Sequence, residues 1–314
     1  MSQQGYNGRG FEWTKEAEAY LRKLRIEGAD CPEIIQSMNE KFHRDFTYAQ
    51  IDQKLTKMKL RNLVQKIPGI KIYSRPHIPE DNYMISCDYH APFHSELWVN
   101  RLLAVANRFE IKKHIIVGDL FDMDWAKSHP TTDGEQRPGL DGEKEQSDPI
   151  VKALLLRFDK NVHICGNHET RPARNVIRVQ FRHVARYLGL DSAKERYSFS
   201  EYDQLEVGTK WLLVHPQSYS QISGSVAVRL AEKYHRHVLN AHGHFIALRW
   251  DRSGDYLAVD LGGMFDQRKV AYSSLHTTTH PFWNNGFGMI WNGHFYHFHQ
   301  GTDWRFWLEG KNGS

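Results

Sequence analysis

The stretch HIIVGDLFD, residues 114–122, is a short apolar run that stops abruptly at Gly118 and delivers Asp119 and Asp122. An apolar run of this length bounded by glycine reads as a buried strand, and the polar side chains after it then stand at its carboxyl end. Four other stretches repeat the pattern. Residues 83–87 lead into Asp88-Tyr89-His90, and residues 162–165 into Gly166-Asn167-His168-Glu169. Residues 211–214 lead into His215-Pro216, and residues 238–241 into His242-Gly243-His244. Apolar helical patterns over about 94–109, 149–158 and up to 188 separate the strand runs, which predicts an α/β domain.

Seven of the delivered side chains are metal ligands of hard to borderline character: Asp88, His90, Asp119, Asn167, His215, His242 and His244. A mixture of imidazole, carboxylate and amide without thiolate suits Mn, Fe, Ni, Co or Zn better than Mg or Ca. A phosphate ester resists water because its oxygens repel a nucleophile and its alkoxide leaves poorly. Two divalent ions about 3.5–4 Å apart address both problems. Only Asp88 and Asp119 in the set are anionic, so two such ions and one hydroxide retain positive charge, which attracts phosphate.

The order D-x-H, G-D-x-x-D, G-N-H-E, a single H and H-x-H resembles the calcineurin-like metallophosphoesterase superfamily over about residues 80–265. That resemblance implies a four-layer α/β/β/α sandwich of two packed mixed sheets. It implies two divalent metal ions, manganese favoured: one held by Asp88, His90 and His244, the other by Asn167, His215 and His242, with Asp119 bridging. It further implies attack by a metal-bridged hydroxide, with His168 assisting the leaving oxygen and Asp122 orienting that imidazole. The protein Ser/Thr phosphatase branch carries Arg-Gly after its second motif. Here Met123-Asp124 follow Asp122, which counts against that branch.

Outside the motifs, residues 1–10 read as a loose leader, 11–61 as a small all-α three-helix domain, 62–80 as a linker and 81–314 as the catalytic domain. In the first helix Trp13, Ala17, Tyr20, Leu21 and Leu24 keep helical spacing after Thr14; Asp30, Pro32 and Glu33 start a second, and Thr47 a third. The segment resembles Myb/SANT-type helix-turn-helix domains. It is nearly neutral, with ten basic and nine acidic side chains. Lys54, Lys57, Lys59 and Arg61 nevertheless crowd the third helix, where nucleic-acid contacts are expected. A protein-docking role is the competing reading.

Four arginines, Arg174, Arg178, Arg182 and Arg186, recur at i+4 in a helix expected to run to Leu188. Like charges at that spacing oppose one another, which invites a polyanionic substrate. Residues 125–149, rich in Gly, Pro and acids, read as a long loop and candidate lid. Glu169 reads as structural, Cys87 and Cys165 as buried fillers, and His294, His297 and His299 as members of a surface strand. Residues 245–250, 256–260, 286–291 and 294–299 suggest a terminal antiparallel meander or second sheet.

The totals set bounds. A chain of 314 residues and net charge +4 has room for two domains and no global charge that marks a nucleic-acid binder. Three unpaired cysteines and the lack of any long apolar run predict a cytoplasmic protein with no membrane association. The expected function is a metal-dependent phosphoesterase cleaving phosphodiester, or terminal phosphomonoester, bonds in nucleic acid, DNA favoured. The alternatives are a small-molecule phosphatase or cyclic-nucleotide phosphodiesterase with a docking module, and a DNA-binding regulator with a structural metal centre.

Overall fold

The structure is a computed structural model and describes residues 13–61, 74–128, 139–176, 179–193, 195–270 and 283–309. The chain divides into two compact units between Tyr73 and Ser74.

In the first unit, α1 (Lys15–Ile26), α2 (Cys31–Phe42) and α3 (Tyr48–Lys57) begin where the caps predict. Thr14 Oγ accepts from the amide of Ala17, and Asp30/Glu33 and Thr47/Gln50 form reciprocal capping boxes. Each cap satisfies amides that the first helical turn leaves unpaired, typically worth about 1 kcal/mol. Ala17, Leu21, Ile34, Met38, Ile51 and Leu55 form the core. The buried guanidinium of Arg25 donates to the carbonyls of Leu60, Ala29 and Arg61, so its charge is fully engaged. Lys54 is also committed, pairing with Glu18 and lying over the Trp13 ring, and Arg61 pairs with Asp52. Lys57 and Lys59 are exposed.

The second unit is the expected sandwich. Its strands are β1 (His77–Ile78), β2 (Tyr83–Ser86), β3 (Lys113–Val117), β4 (Lys160–Ile164), β5 (Tyr197–Ser200) and β6 (Gln204–Val207). They continue as β7 (Trp211–Val214), β8 (His237–Asn240), β9 (Ile246–Trp250), β10 (Leu257–Leu261), β11 (Gly286–Trp291) and β12 (His294–His299). Two six-stranded mixed sheets result, ordered β1-β6-β7-β8-β10-β9 and β12-β11-β2-β3-β4-β5. The alternation of strand side chains builds the layers. Ile115 and Val117 point between the sheets toward Leu205, Leu213, Leu239 and Val259, while Ile116 points outward. That outer face is covered by α4 (Glu96–Arg108), α5 (Gly139–Arg157) and α7 (Phe181–Tyr187) through Leu102, Leu154 and Val184. On the other sheet, Leu212, Val214 and Val238 meet Ala227 and Ala231 of α8 (Ser225–Tyr234).

Three expectations change. The late strands form no separate meander: β9 and β10 complete one sheet, β11 and β12 the other, because each pair finds an open edge next to β8 or β2. The 125–149 stretch is not a loop throughout. Asp124–Ala126 form a 3₁₀ turn and α5 begins at Gly139, ten residues earlier than its apolar pattern, because buried Glu143 and Ser147 extend the packed face with polar side chains. Residues 129–138 lie outside the described part. Finally, the helix carrying the arginines is broken into α6 (Arg171–Asn175) and α7, with Val176 extended between them. The stripe is therefore not one helical row. Arg174, Arg182 and Arg186 are exposed, and Arg178 lies outside the described residues.

Candidate metal centre

β2, β3 and β4 are parallel neighbours in one sheet, as are β7 and β8 in the other, so each set presents its carboxyl ends side by side. All seven predicted ligands follow those five ends. The loops are stitched together: the amides of Asp88 and His90 donate to the carbonyls of Gly118 and Asp119 at 3.1 and 3.0 Å. Asp88, His90, Asp119, His242 and His244 all have φ between 46° and 73°. That left-handed region is costly for side-chain-bearing residues and persists only where surrounding contacts enforce it.

Glycine makes the approach possible at two places. Gly118 has φ +76°, and a Cβ there would collide with the His215 ring. A Cβ on Gly166 would strike the carboxylate of Asp119 and lie 2.5 Å from its amide nitrogen. Glu169 is buried beneath both loops, accepting from the amides of Asp119, Leu120 and Gly166 at 2.9, 2.9 and 2.8 Å. It acts as a staple, in keeping with its structural reading.

Three clusters of ligand atoms result, each with its members within 4.8 Å of one another: Asp88, His90 and His244; Asp119, His215 and His242; and His90, Asp122 and His168. In the first, His244 Nε2 lies 3.0 Å from Asp88 Oδ1 and 3.2 Å from His90 Nε2. In the second, His215 Nδ1 donates to the Val117 carbonyl at 2.9 Å, which turns Nε2 toward Asn167 Oδ1 at 3.0 Å and Asp119 Oδ2 at 3.2 Å. When His215 is neutral with its proton on Nδ1, Nε2 aims a lone pair at two acceptor oxygens, a conflict that a bound cation or a second ring proton relieves. Asp119 Oδ2 is buried and makes no hydrogen bond, although His168 Nε2 and His90 Nε2 also stand 3.7 and 4.0 Å from it. Electron-rich atoms converging on an orphaned carboxylate oxygen fit a cation.

Protonation reflects the same imbalance. Burial opposes charge on His215, yet Asp119 and then Asp88 hold its pKa up at about 10. Burial likewise works against ionised Asp88, but His244 brings it down to about 2, and Asp119 is held well below the usual carboxylate range by His168 and His215. Burial and the neighbouring His215 push His242 down to about 4. A proton on His215 thus supplies positive charge that a metal ion would otherwise bring.

Asp122 serves two histidines. Its Oδ1 accepts from His90 Nδ1 at 2.9 Å and lies 3.2 Å from His168 Nδ1, while its backbone carbonyl accepts from His168 Nδ1 at 2.7 Å. It therefore fixes the tautomer of both rings, leaving each Nε2 facing the cluster. For His168, burial disfavours charge, but Asp119 and Asp122 raise the pKa overall.

Sequence reasoning missed Arg171. Its guanidinium donates from Nη1 to the Asp122 carbonyl at 2.6 Å and from Nη2 to His168 Nε2 at 2.7 Å. The signal was its place three residues after His168 at the head of a helix, masked by the more regular arginine row after it. Phe265 was also missed; its ring packs 5.2 Å from His90 and 4.7 Å from His244, walling one side. Cys87 and Cys165 are buried thiols bonded to backbone carbonyls, with pKa values raised by burial. His294, His297 and His299 belong to none of the ligand clusters among the described residues.

No family model matches the chain, and no curated protein matches it in sequence. Among solved structures it is similar to YfcE, a phosphoesterase from E. coli, at 13% identity and TM-score 0.35, over 68% of this chain and 89% of that one. It is similar to Vps29 from Entamoeba histolytica at 12% identity and TM-score 0.34, over 70% and 98% of the two chains. A third likeness is to the nuclease MPE of Pseudomonas putida, at 13% identity and TM-score 0.27, over 69% and 87%. Likenesses this distant carry no functional argument, which rests on the geometry of the strand-end cluster.

Proposed function

We propose that the chain is a metal-dependent phosphoesterase of the calcineurin-like kind, acting on phosphodiester or terminal phosphate bonds in nucleic acid. The observation that carries the reading is the unpartnered, buried Asp119 Oδ2 with imidazole nitrogens of His215, His168 and His90 around it. Asp88, His90 and His244 would hold one divalent ion and Asn167, His215 and His242 a second, with Asp119 shared. Such ions, manganese favoured, supply Lewis-acid neutralisation of phosphate charge and acidify bound water.

The chain's own residues do the rest. Asp122 holds the rings of His90 and His168 in one tautomer. His168 Nε2 faces the cluster, where, once it has taken up a proton, it can pass that proton to a leaving oxygen. The walls formed by Phe265 and the two sheets keep the carboxylates away from bulk water, which strengthens every charge interaction inside. Lys57, Lys59 and the exposed arginines of α6 and α7 support a polyanionic substrate. The commitment of Lys54 and Arg61 to ion pairs inside the three-helix unit instead favours a docking module, and with it a small phosphoester substrate.

A substrate panel with manganese tests the proposal, comparing single- and double-stranded DNA, RNA, cyclic nucleotides, phosphomonoesters and bis-p-nitrophenyl phosphate. Turnover should fall by at least ~10³-fold in Asp119→Ala and by ~10²-fold or more in His168→Ala. If both variants keep full activity, the assignment of roles is wrong. Nucleic-acid cleavage should also weaken steeply with salt and on deletion of residues 1–61. Cleavage of small esters alone, insensitive to both, selects the docking reading.

A further inference from the structure

Arg171 stands where a leaving oxygen would have to meet His168. With Nδ1 of that ring donating to the Asp122 carbonyl, Nε2 is the acceptor for the Arg171 guanidinium at 2.7 Å. In this arrangement His168 is blocked on its cluster side by a cation. Arg171 is held there by two neutral acceptors, the imidazole and the Asp122 carbonyl, with the Asp122 carboxylate 3.8 Å away. Its side chain is one-fifth exposed, and it makes no other hydrogen bond among the described residues. The guanidinium therefore lies at the mouth of the cluster with N–H donors to spare.

The helix beneath it is anchored independently. Asn175 Nδ2 donates to the Ala126 carbonyl at 2.6 Å, and Thr170 Oγ1 to the Asn167 carbonyl at 2.7 Å. Movement of the Arg171 side chain thus leaves α6 in place. A phosphate oxygen is a charged acceptor, and charge-assisted hydrogen bonds are roughly twice as strong as neutral ones. Phosphate also matches the two-pronged donor geometry of a guanidinium. A phosphate entering the site should outcompete the imidazole nitrogen for Nη2.

We propose that Arg171 is the phosphate-gripping residue of this site, and that its transfer from His168 Nε2 to a substrate oxygen frees His168 to face the leaving group. The proposal rests on the phosphoesterase reading for its catalytic half, whereas the gripping half concerns phosphate alone. The two halves separate in one experiment. The manganese-loaded full chain and its Arg171→Gln and Arg171→Lys variants are titrated with inorganic phosphate by calorimetry, and steady-state kinetics are taken on bis-p-nitrophenyl phosphate. Metal content and thermal midpoint are measured alongside.

Phosphate affinity should fall about tenfold or more in Arg171→Gln, the loss expected for a charged hydrogen-bonded contact, and less in Arg171→Lys, which keeps charge without the fork. KM should rise in parallel. Unchanged phosphate affinity with a lowered kcat overturns the proposal, since the arginine then only positions His168. So does loss of metal from both variants, or wild-type protein that binds no phosphate. Wild-type protein that turns over no ester, yet binds phosphate in an Arg171-dependent way, keeps the grip and sinks the phosphoesterase reading. Ester turnover with unaltered KM in both variants does the reverse.

Discussion

In the three-helix unit the helix starts are capped and the buried polar side chains are partnered among the described residues, whereas at the strand ends of the sandwich such rules are broken together. Thr14, Asp30 and Thr47 cap their helices, and the buried Arg25 donates to three carbonyls. No buried side-chain polar atom there lacks a partner among the described residues. In the sandwich, five candidate ligands occupy left-handed backbone, against His43 and Lys59 among the described side-chain-bearing residues of the helical unit, and the buried oxygens Asp119 Oδ2 and Glu143 Oε2 have no hydrogen bond. Ordinary packing removes such defects. The five left-handed candidate ligands and Asp119 Oδ2 stand together at the carboxyl ends of β2, β3 and β8, the pattern expected where a chain gives up stability for chemistry.

The contrast is sharpest at Gly166. Its Cβ-free contact with Asp119 is a requirement of the cluster, so Gly166→Ala should cost about 1–3 kcal/mol through overpacking and also lower metal affinity. Denaturant unfolding and metal titration read the two effects; a variant unchanged in both would erase the special status of this loop.

Glu143 gives a pH-dependent test. Burial pushes its carboxyl up to about 8, although it accepts from the Met123 amide at 2.9 Å. The folded state keeps this proton through neutrality while the unfolded chain releases it in the ordinary carboxylate range. The folded state therefore binds more protons over that interval, and stability falls as pH rises toward 8, by at most about 1.4 kcal/mol per pH unit. Glu143→Gln should flatten the decline, measured as unfolding free energy between pH 5 and 9 (about the titration window of the group). A slope identical to wild type would remove Glu143 from the strained set.

The smallest effect belongs to the helical unit. Asp30→Ala removes one capping box and should cost about 1 kcal/mol in the unfolding of residues 13–61, with metal content and turnover unaltered. A larger loss, or one that reaches the metal site, would show that the two units are not built on separate rules.

Much of this was legible along the chain. Caps, helical spacing and strand-to-polar transitions are local patterns, because backbone periodicity acts over a few residues. They were enough to mark three helices, the sandwich strands and the seven side chains that the structure gathers at five strand ends. What they missed depends on partners distant in sequence. The early start of α5 needs Glu143 to meet the Met123 amide, and the break between α6 and α7 is invisible to an i+4 count.

The same division holds at the site. Residue types and order alone marked a candidate ligand set, since imidazole, carboxylate and amide carry their coordination preferences wherever they fold. Only tertiary structure decided that Asp122 serves two rings, that Glu169 staples two loops, and that Arg171 rather than the arginine row stands at His168. Those are matters of which atoms lie within about 3 Å of each other, and that is settled by packing between segments dozens of residues apart.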